Sequence, residues 1–241
     1  MSDKIKLTIN QDVAEITLNY PDKLNCIGFE MLHALDEAVD MASMNNSIRV
    51  VLIKGAGDRS FSTGADLKEF NTLSKDKAVE WIEFGNSVFN KIEELPKPTV
   101  ALIHGYAIGG GLELALTCDF RLGIENAIFS SSELQHGWLP GWGGMTRLRR
   151  IIGEARAKEV VMLNEKIPAV QALQLGLLTR ILNANNTDDE LGSFLSHLAG
   201  LNPGAFKLSK AALMDQNRGT RGEDIQFDVL AVQIADQKEN T

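Results

Sequence analysis

The chain has 241 residues, 44% of them apolar and 23% charged, and a net charge of −8. That is ordinary for one large globular domain, or for one domain with a small appendage. The acidic balance argues against a partner held by neutralising its phosphates, so no nucleic acid is expected. No apolar run is long enough to cross a membrane, and the first residues lack the apolar core of a secretory signal. Cys26 and Cys118 have neither metal-ligand nor disulfide-framework spacing and are read as small buried hydrophobes. No metal and no membrane partner are expected, and a reducing cytoplasm is the expected location.

Residues 5–9 and 13–18 alternate apolar and polar around Asn10-Gln11-Asp12, which predicts a β-hairpin. A polar loop, 19–25, follows. Between Phe29 and Met44 the apolar residues Met31, Leu32, Leu35, Ala38, Val39 and Ala42 recur at helical spacing. Residues 50–53 form a short, fully apolar run of the parallel-strand kind. Residues 61–67 read as a strand, a glycine-bearing turn and a helix start. A second helical pattern, 78–95, ends at Pro96 and Pro98. Then come a strand at 99–103, three glycines at 109–111, and a helix at 112–117. Strands are expected at 121–124, 127–129 and 178–182. Helices are expected at 153–163, 169–175, 188–198 and 203–216, and over most of the chain from 221. The alternation predicts a parallel α/β core over 1–166 and a mainly helical region over 167–241.

The stretch from His104 to Leu116 carries the first chemical signal. Three successive glycines let a backbone approach something closely, and bare N–H groups at a helix start favour negative charge. Glu113 falls in the first turn of that helix, and its plainer reading is a cap on a tight turn. The stretch 61–68 repeats the logic and offers a second amide, at Ala65. Donors from two neighbouring strand ends can converge on one oxygen, as an oxyanion site requires. A second carboxylate, Glu133, lies 20 residues after Glu113 in a loop rich in glycine and aromatic residues. Its plainer reading is a surface carboxylate capping a turn.

Taken together, these stretches resemble the crotonase (enoyl-CoA hydratase/isomerase) superfamily. The resemblance is carried by Asn19-Tyr20-Pro21-Asp22-Lys23-Leu24-Asn25, by 50–57 and 61–67, by 97–119, by Pro140-Gly141-Trp142-Gly143-Gly144, and by 171–178. It implies a spiral of ββα turns with a helical C-terminal region that builds a trimer, often paired into hexamers. One further family helix would follow Thr241, so 167–241 is read as lacking it.

The resemblance implies an acyl-CoA substrate and no separate cofactor, coenzyme A being part of the substrate. The amides of Ala65 and Gly110 match the family's oxyanion hole. Lys23, Leu24, Asp66, Leu67 and Lys68 match positions near the CoA. Glu113 and Glu133 match the two glutamates that hold the water in the hydratases, Glu133 handling the C2 proton and Glu113 activating the water. Having both favours hydration of a 2-enoyl-CoA. The alternatives are an isomerase, another crotonase-type lyase or decarboxylase, and a non-catalytic binding protein. Trp138 and Trp142 depart from the family pattern. Trp142 is read either as a wall that shortens the acyl pocket or as packing on the following helix, and Trp81 as packing or interface. His136 is read as a loop histidine held by a structural hydrogen bond, with a third polar catalyst as the alternative.

Overall fold

A computed structural model of the chain describes residues 2–214; the end of the helix read at 203–216 and the one read from 221 lie outside the described residues. The hairpin is β1 (Ile5–Asn10) and β2 (Val13–Leu18), paired antiparallel with Ile5 opposite Leu18. Helix α1 (Phe29–Met44) buries the apolar stripe read from the sequence and packs on this hairpin. The chain then repeats one unit three times. Strands β3 (Val50–Gly55) and β4 (Ser60–Ser62) lead to α2 (Leu67–Phe70) and α3 (Lys75–Glu93). Strands β5 (Thr99–Ile103) and β6 (Tyr106–Ile108) lead to α4 (Gly110–Thr117). Strands β7 (Phe120–Ile124) and β8 (Ile128–Ser130) lead to α5 (Gly144–Lys158). Strand β9 (Ile167–Pro168), α6 (Ala169–Leu175), β10 (Arg180–Leu182), α7 (Thr187–Ala199) and α8 (Pro203–Met214) complete the described chain.

The first strand of each repeat joins a six-stranded sheet in the order β1-β2-β3-β5-β7-β10, parallel apart from the hairpin. The second strand joins a four-stranded sheet, β4-β6-β8-β9, in which β4, β6 and β8 run parallel. The fully apolar strands are explained by burial on both faces. Val51, Ile53, Ala101 and Ile103 point into the main core with α1, α3 and α4. Val50, Leu52, Val100 and Leu122 point the other way, against Phe194, Leu195 and Leu198 of α7.

The structure departs from the sequence reading in two places. The run 99–103 does not enter the glycine turn directly: Gly105, at φ 56°, turns the chain into β6 first. A Cβ there would lie 2.0 Å from the Arg59 carbonyl oxygen, so the bend requires glycine. The helix read at 153–163 begins earlier, at Gly144, and Gly153 (φ 76°) breaks it before a π-helical turn at Glu159–Leu163. Its first half is rich in arginine, which obscured the apolar spacing. Both cysteines are free; Cys118 is buried as expected and Cys26 only partly so.

The loop 19–25 is fixed by Asn25, which is fully buried at φ 55°. Its Oδ1 accepts the Tyr20 N–H at 2.9 Å, and its Nδ2 donates to Ala56 O at 3.0 Å and Ser60 O at 2.9 Å. Asn25→Ala would leave three backbone groups unpaired in the interior and remove a residue tolerant of the left-handed backbone. It is expected to cost roughly 2–4 kcal/mol in chemical denaturation.

Candidate active site

Strands β4, β6 and β8 lie side by side, with Ser62 paired to Ala107 and Ile108 to Ser130. Their carboxyl ends are therefore level, and a ligand crevice belongs outside such ends. Ala65 follows β4, Gly110 follows β6, and Glu133 follows β8. The first turn is held by the segment after Asn25. Ile27 N–H donates to Gly64 O at 2.7 Å and Asp66 N–H to Ile27 O at 2.9 Å, while Ser62 Oγ bridges Asn25 O and Gly64 N–H. In the second turn Gly109 N–H donates to Ser130 O at 2.9 Å. None of these bonds uses the Ala65 or the Gly110 N–H. The two turns touch, because a Cβ on Gly64 would lie 2.5 Å from the Gly110 nitrogen.

Glu113 sits one turn into α4 and is buried. Its Oε1 accepts the backbone N–H groups of Trp142 and Gly144, both at 2.8 Å. Burial first, and the facing Glu133 second, raise its pKa to about 7 against the pull of those two donors and of Arg147. Gly144 lies so close that a Cβ there would meet Glu113 Cγ at 2.7 Å. Arg147, itself buried, holds this loop in place. Its Nη1 donates to Trp142 O at 2.6 Å, Nε to Glu93 at 2.8 Å, and Nη2 to Asn90 at 2.6 Å. Arg150 closes on the other Glu93 oxygen.

Glu133 opens a 3-10 turn at Glu133–His136. Its Oε2 accepts from Ser131 Oγ at 2.8 Å, while its Oε1 is buried with no partner among the described residues. That free oxygen points at the glycine turn, 3.2 Å from where a Gly109 Cβ would stand. Burial raises the Glu133 pKa as well.

A cavity of about 440 Å³ joins these groups. Of the residues singled out in the sequence, Ala65, Leu67, Gly110, Glu113, Glu133 and Trp142 line it. Lys23, Leu24, Asp66 and Lys68 do not. Leu24 borders it through Thr63, whose N–H donates to Leu24 O at 3.1 Å. The Asp66 carboxylate caps α2 by accepting the Lys68 and Glu69 N–H groups. Lys23 and Lys68 are exposed.

The sequence reading missed Trp81 and Phe70 as wall residues: both line the cavity, with ring centroids 5.1 Å apart. Their helical spacing looks the same for a core and a pocket wall. Trp138 stacks edge-on to Phe70 at 4.4 Å. His136 lines the cavity 5.8 Å from Trp138, and among the described residues no hydrogen bond holds it, contrary to the expectation of a structural bond.

Glu113 is expected to titrate near 7, read as its carboxyl band in infrared difference spectra against Glu113→Gln. Glu133→Gln should lower that value, and an unchanged value would mean that the two carboxyls do not sense each other. With the folded pKa above the model value of 4.5, this carboxyl favours the fold when protonated. That contribution is complete below about 4.5 and lost as pH rises through about 7, so Glu113→Gln should flatten the decline of stability across that window.

The sequence pattern of the enoyl-CoA hydratase/isomerase family matches residues 8–240. A short-chain-enoyl-CoA hydratase of Clostridium acetobutylicum is 33% identical over 207 residues, covering 86% of this chain and 78% of the relative. A crotonyl-CoA hydratase of Syntrophomonas wolfei is 32% identical over 98% of this chain and 93% of its own length. The crystal structure of an enoyl-CoA hydratase from Bacillus anthracis superposes with a TM-score of 0.90 at 29% identity, covering 96% of this chain and 90% of that one. With the family pattern matched over nearly the whole chain and relatives 33% and 32% identical over most of it, the chain belongs to the enoyl-CoA hydratase/isomerase family.

Proposed function

We propose that this protein adds water across the 2,3 double bond of a 2-enoyl-CoA thioester to give a 3-hydroxyacyl-CoA. The observation that carries the reading is the pairing of Glu113 with Glu133 in the cavity that also receives the Ala65 and Gly110 turns. The hydratases named among its relatives support it.

In this reading the thioester oxygen lies between the Ala65 and Gly110 N–H groups. Addition at C3 puts enolate charge on that oxygen, and each fixed donor contributes about 2.7–4 kcal/mol to stabilising it. One carboxyl of the pair is ionised and takes a proton from water as the hydroxyl bonds to C3. The other is protonated and delivers its proton to C2. The pair finishes with its proton moved from one member to the other and resets by exchange with solvent. Glu113 is assigned to the water: its Oε1 is occupied by two backbone donors, which leaves Oε2 for a water molecule. Glu133 is assigned to the C2 proton. Two raised pKa values suit carboxyls that must share one proton near neutrality.

Lys23 and Lys68 are assigned to the CoA as exposed cations on the two segments that border the cavity, with Leu24, Asp66 and Leu67 between them. The net reaction adds water without changing redox state, so it calls for no redox cofactor. Assembly into a trimer or hexamer through the region after 166, and a cytoplasmic location, complete the proposal; among the described residues no helix is long and apolar enough to cross a membrane.

Purified protein mixed with crotonyl-CoA should bleach the conjugated-enoyl thioester absorbance. Glu113→Gln and Glu133→Gln should each lower kcat by about 10²–10⁴. Inert wild type that instead converts a 3-enoyl-CoA to the 2-enoyl isomer would make the protein an isomerase.

The pH profile of kcat/KM should be bell-shaped. It falls on the acid side as both carboxyls hold protons and on the alkaline side, from near 7, as both lose them. In kcat the alkaline limb should move up, because bound substrate excludes more water from the pair. A flat profile across both limbs would remove the shared proton from the mechanism.

A further inference from the structure

Trp142 lines the cavity and is buried, with its indole packed between two helices. Both helices carry glycine at the contact. On α3 a Cβ at Gly85 would stand 2.2 Å from the indole Nε1, and on α4 a Cβ at Gly110 would stand 2.5 Å from Cζ3. The ring therefore spans the gap from α3 to the residue whose amide is assigned to the thioester oxygen. Phe89 lies behind it at a centroid distance of 5.1 Å, and Trp81 meets it edge-on at 4.9 Å.

The ring has no room to withdraw. The Trp142 backbone N–H donates to Glu113 Oε1 at 2.8 Å, and the Trp142 backbone carbonyl accepts from Arg147 Nη1 at 2.6 Å. The preceding Gly141 carbonyl accepts from Asn86 Nδ2 of α3 at 2.5 Å. Three anchors from α3, α4 and α5 hold one aromatic plate beside the carboxyl pair.

We infer that Trp142 is the specificity-determining stop of the acyl pocket, so that the enzyme takes short acyl groups and rejects long ones. The inference rests on the hydratase reading for the position of the thioester. Carbons beyond C3 that run inward from Gly110 and Glu113 meet the indole before they reach Phe89. Packed as it is, the plate cannot be displaced without moving two helices. One surplus methylene against such a wall changes the rate constant by about 10–200-fold. Replacing the indole by a smaller side chain opens the space in front of Phe89 to the growing chain.

The test compares kcat/KM for crotonyl-CoA, 2-octenoyl-CoA and 2-dodecenoyl-CoA in wild type, Trp142→Leu and Trp142→Phe. Wild type should favour crotonyl-CoA over 2-octenoyl-CoA by about 100-fold or more. Trp142→Leu should raise the octenoyl-to-crotonyl ratio by about 10-fold or more, and Trp142→Phe by less. The ratio cancels any general damage to Glu113. Calorimetric titration with butyryl-CoA and octanoyl-CoA reads the same length limit without chemistry, and Trp142→Phe keeps an aromatic core should the leucine variant fold poorly. If the ratio and the binding preference are the same in wild type and variants, the chain leaves by another route and Trp142 is no stop. If wild type hydrates none of the three but binds butyryl-CoA better than octanoyl-CoA, and Trp142→Phe narrows that gap, the stop stands and the hydratase reading falls.

Discussion

A Cβ at Gly64 would lie 2.5 Å from the Gly110 nitrogen, so the turn after β4 and the turn after β6 pack backbone against backbone. This contact brings two amides from different repeats to one place. Neighbouring parallel strands sit about 4.8 Å apart, and with β4, β6 and β8 level the groups beyond their ends are spaced for one small ligand. Any side chain at Gly64 would push the turns apart, and one at Gly110 would run into the Trp142 indole. The surrounding bonds serve this arrangement: Asn25 ties the first loop to β4, Ser62 bridges Asn25 to Gly64, and Ile27 grips both flanks of Ala65.

The second constraint is the burial of Glu113. A carboxylate removed from water is costly unless it is hydrogen-bonded or neutralised. The protein does both in part: two backbone donors hold Oε1, yet burial and Glu133 keep the pKa near neutrality. Those donors come from the loop that ends at Gly144, the first residue of α5. Arg147 steadies it by reaching back to Trp142 O while its other nitrogens hold Asn90 and Glu93 of α3. Three helices thus converge on one carboxyl oxygen. Glu133 is treated differently, with one oxygen fixed by Ser131 and the other left free at the glycine turn. The pair combines an anchored carboxyl with a freer one, which suits one group that positions water and another that carries a proton.

The apolar half of the cavity comes from residues distant in sequence. Phe70 and Trp81 arrive from the first of the three repeats, Trp138 and Trp142 from the loop after β8. Trp142 is at once wall and packing, so the two readings that its position allows are the same fact seen from two sides. It can be both because Gly85 and Gly110 give up their side-chain volume to it.

Local signals in the chain were enough for the parallel α/β order, the hairpin, the apolar stripe of α1, the two glycine turns and the carboxyls at 113 and 133. Each depends on spacing within a short window, and the motifs in register point to one family. Other features required the tertiary structure, because they depend on which segments meet. The split of the strands between two sheets, with β6 set off by the bend at Gly105, follows from contact with Arg59 and is invisible in the glycine run itself. Asn25 reads as an ordinary loop residue until its three partners are known. Arg147 looks like one of several exposed arginines, and Trp81 like a core residue, until α3 and α5 are packed together. The amino-acid order determined which groups were available for chemistry; their common cavity, their protonation and the room left for an acyl chain were decided by long-range packing, since burial and charge coupling exist only once distant segments touch.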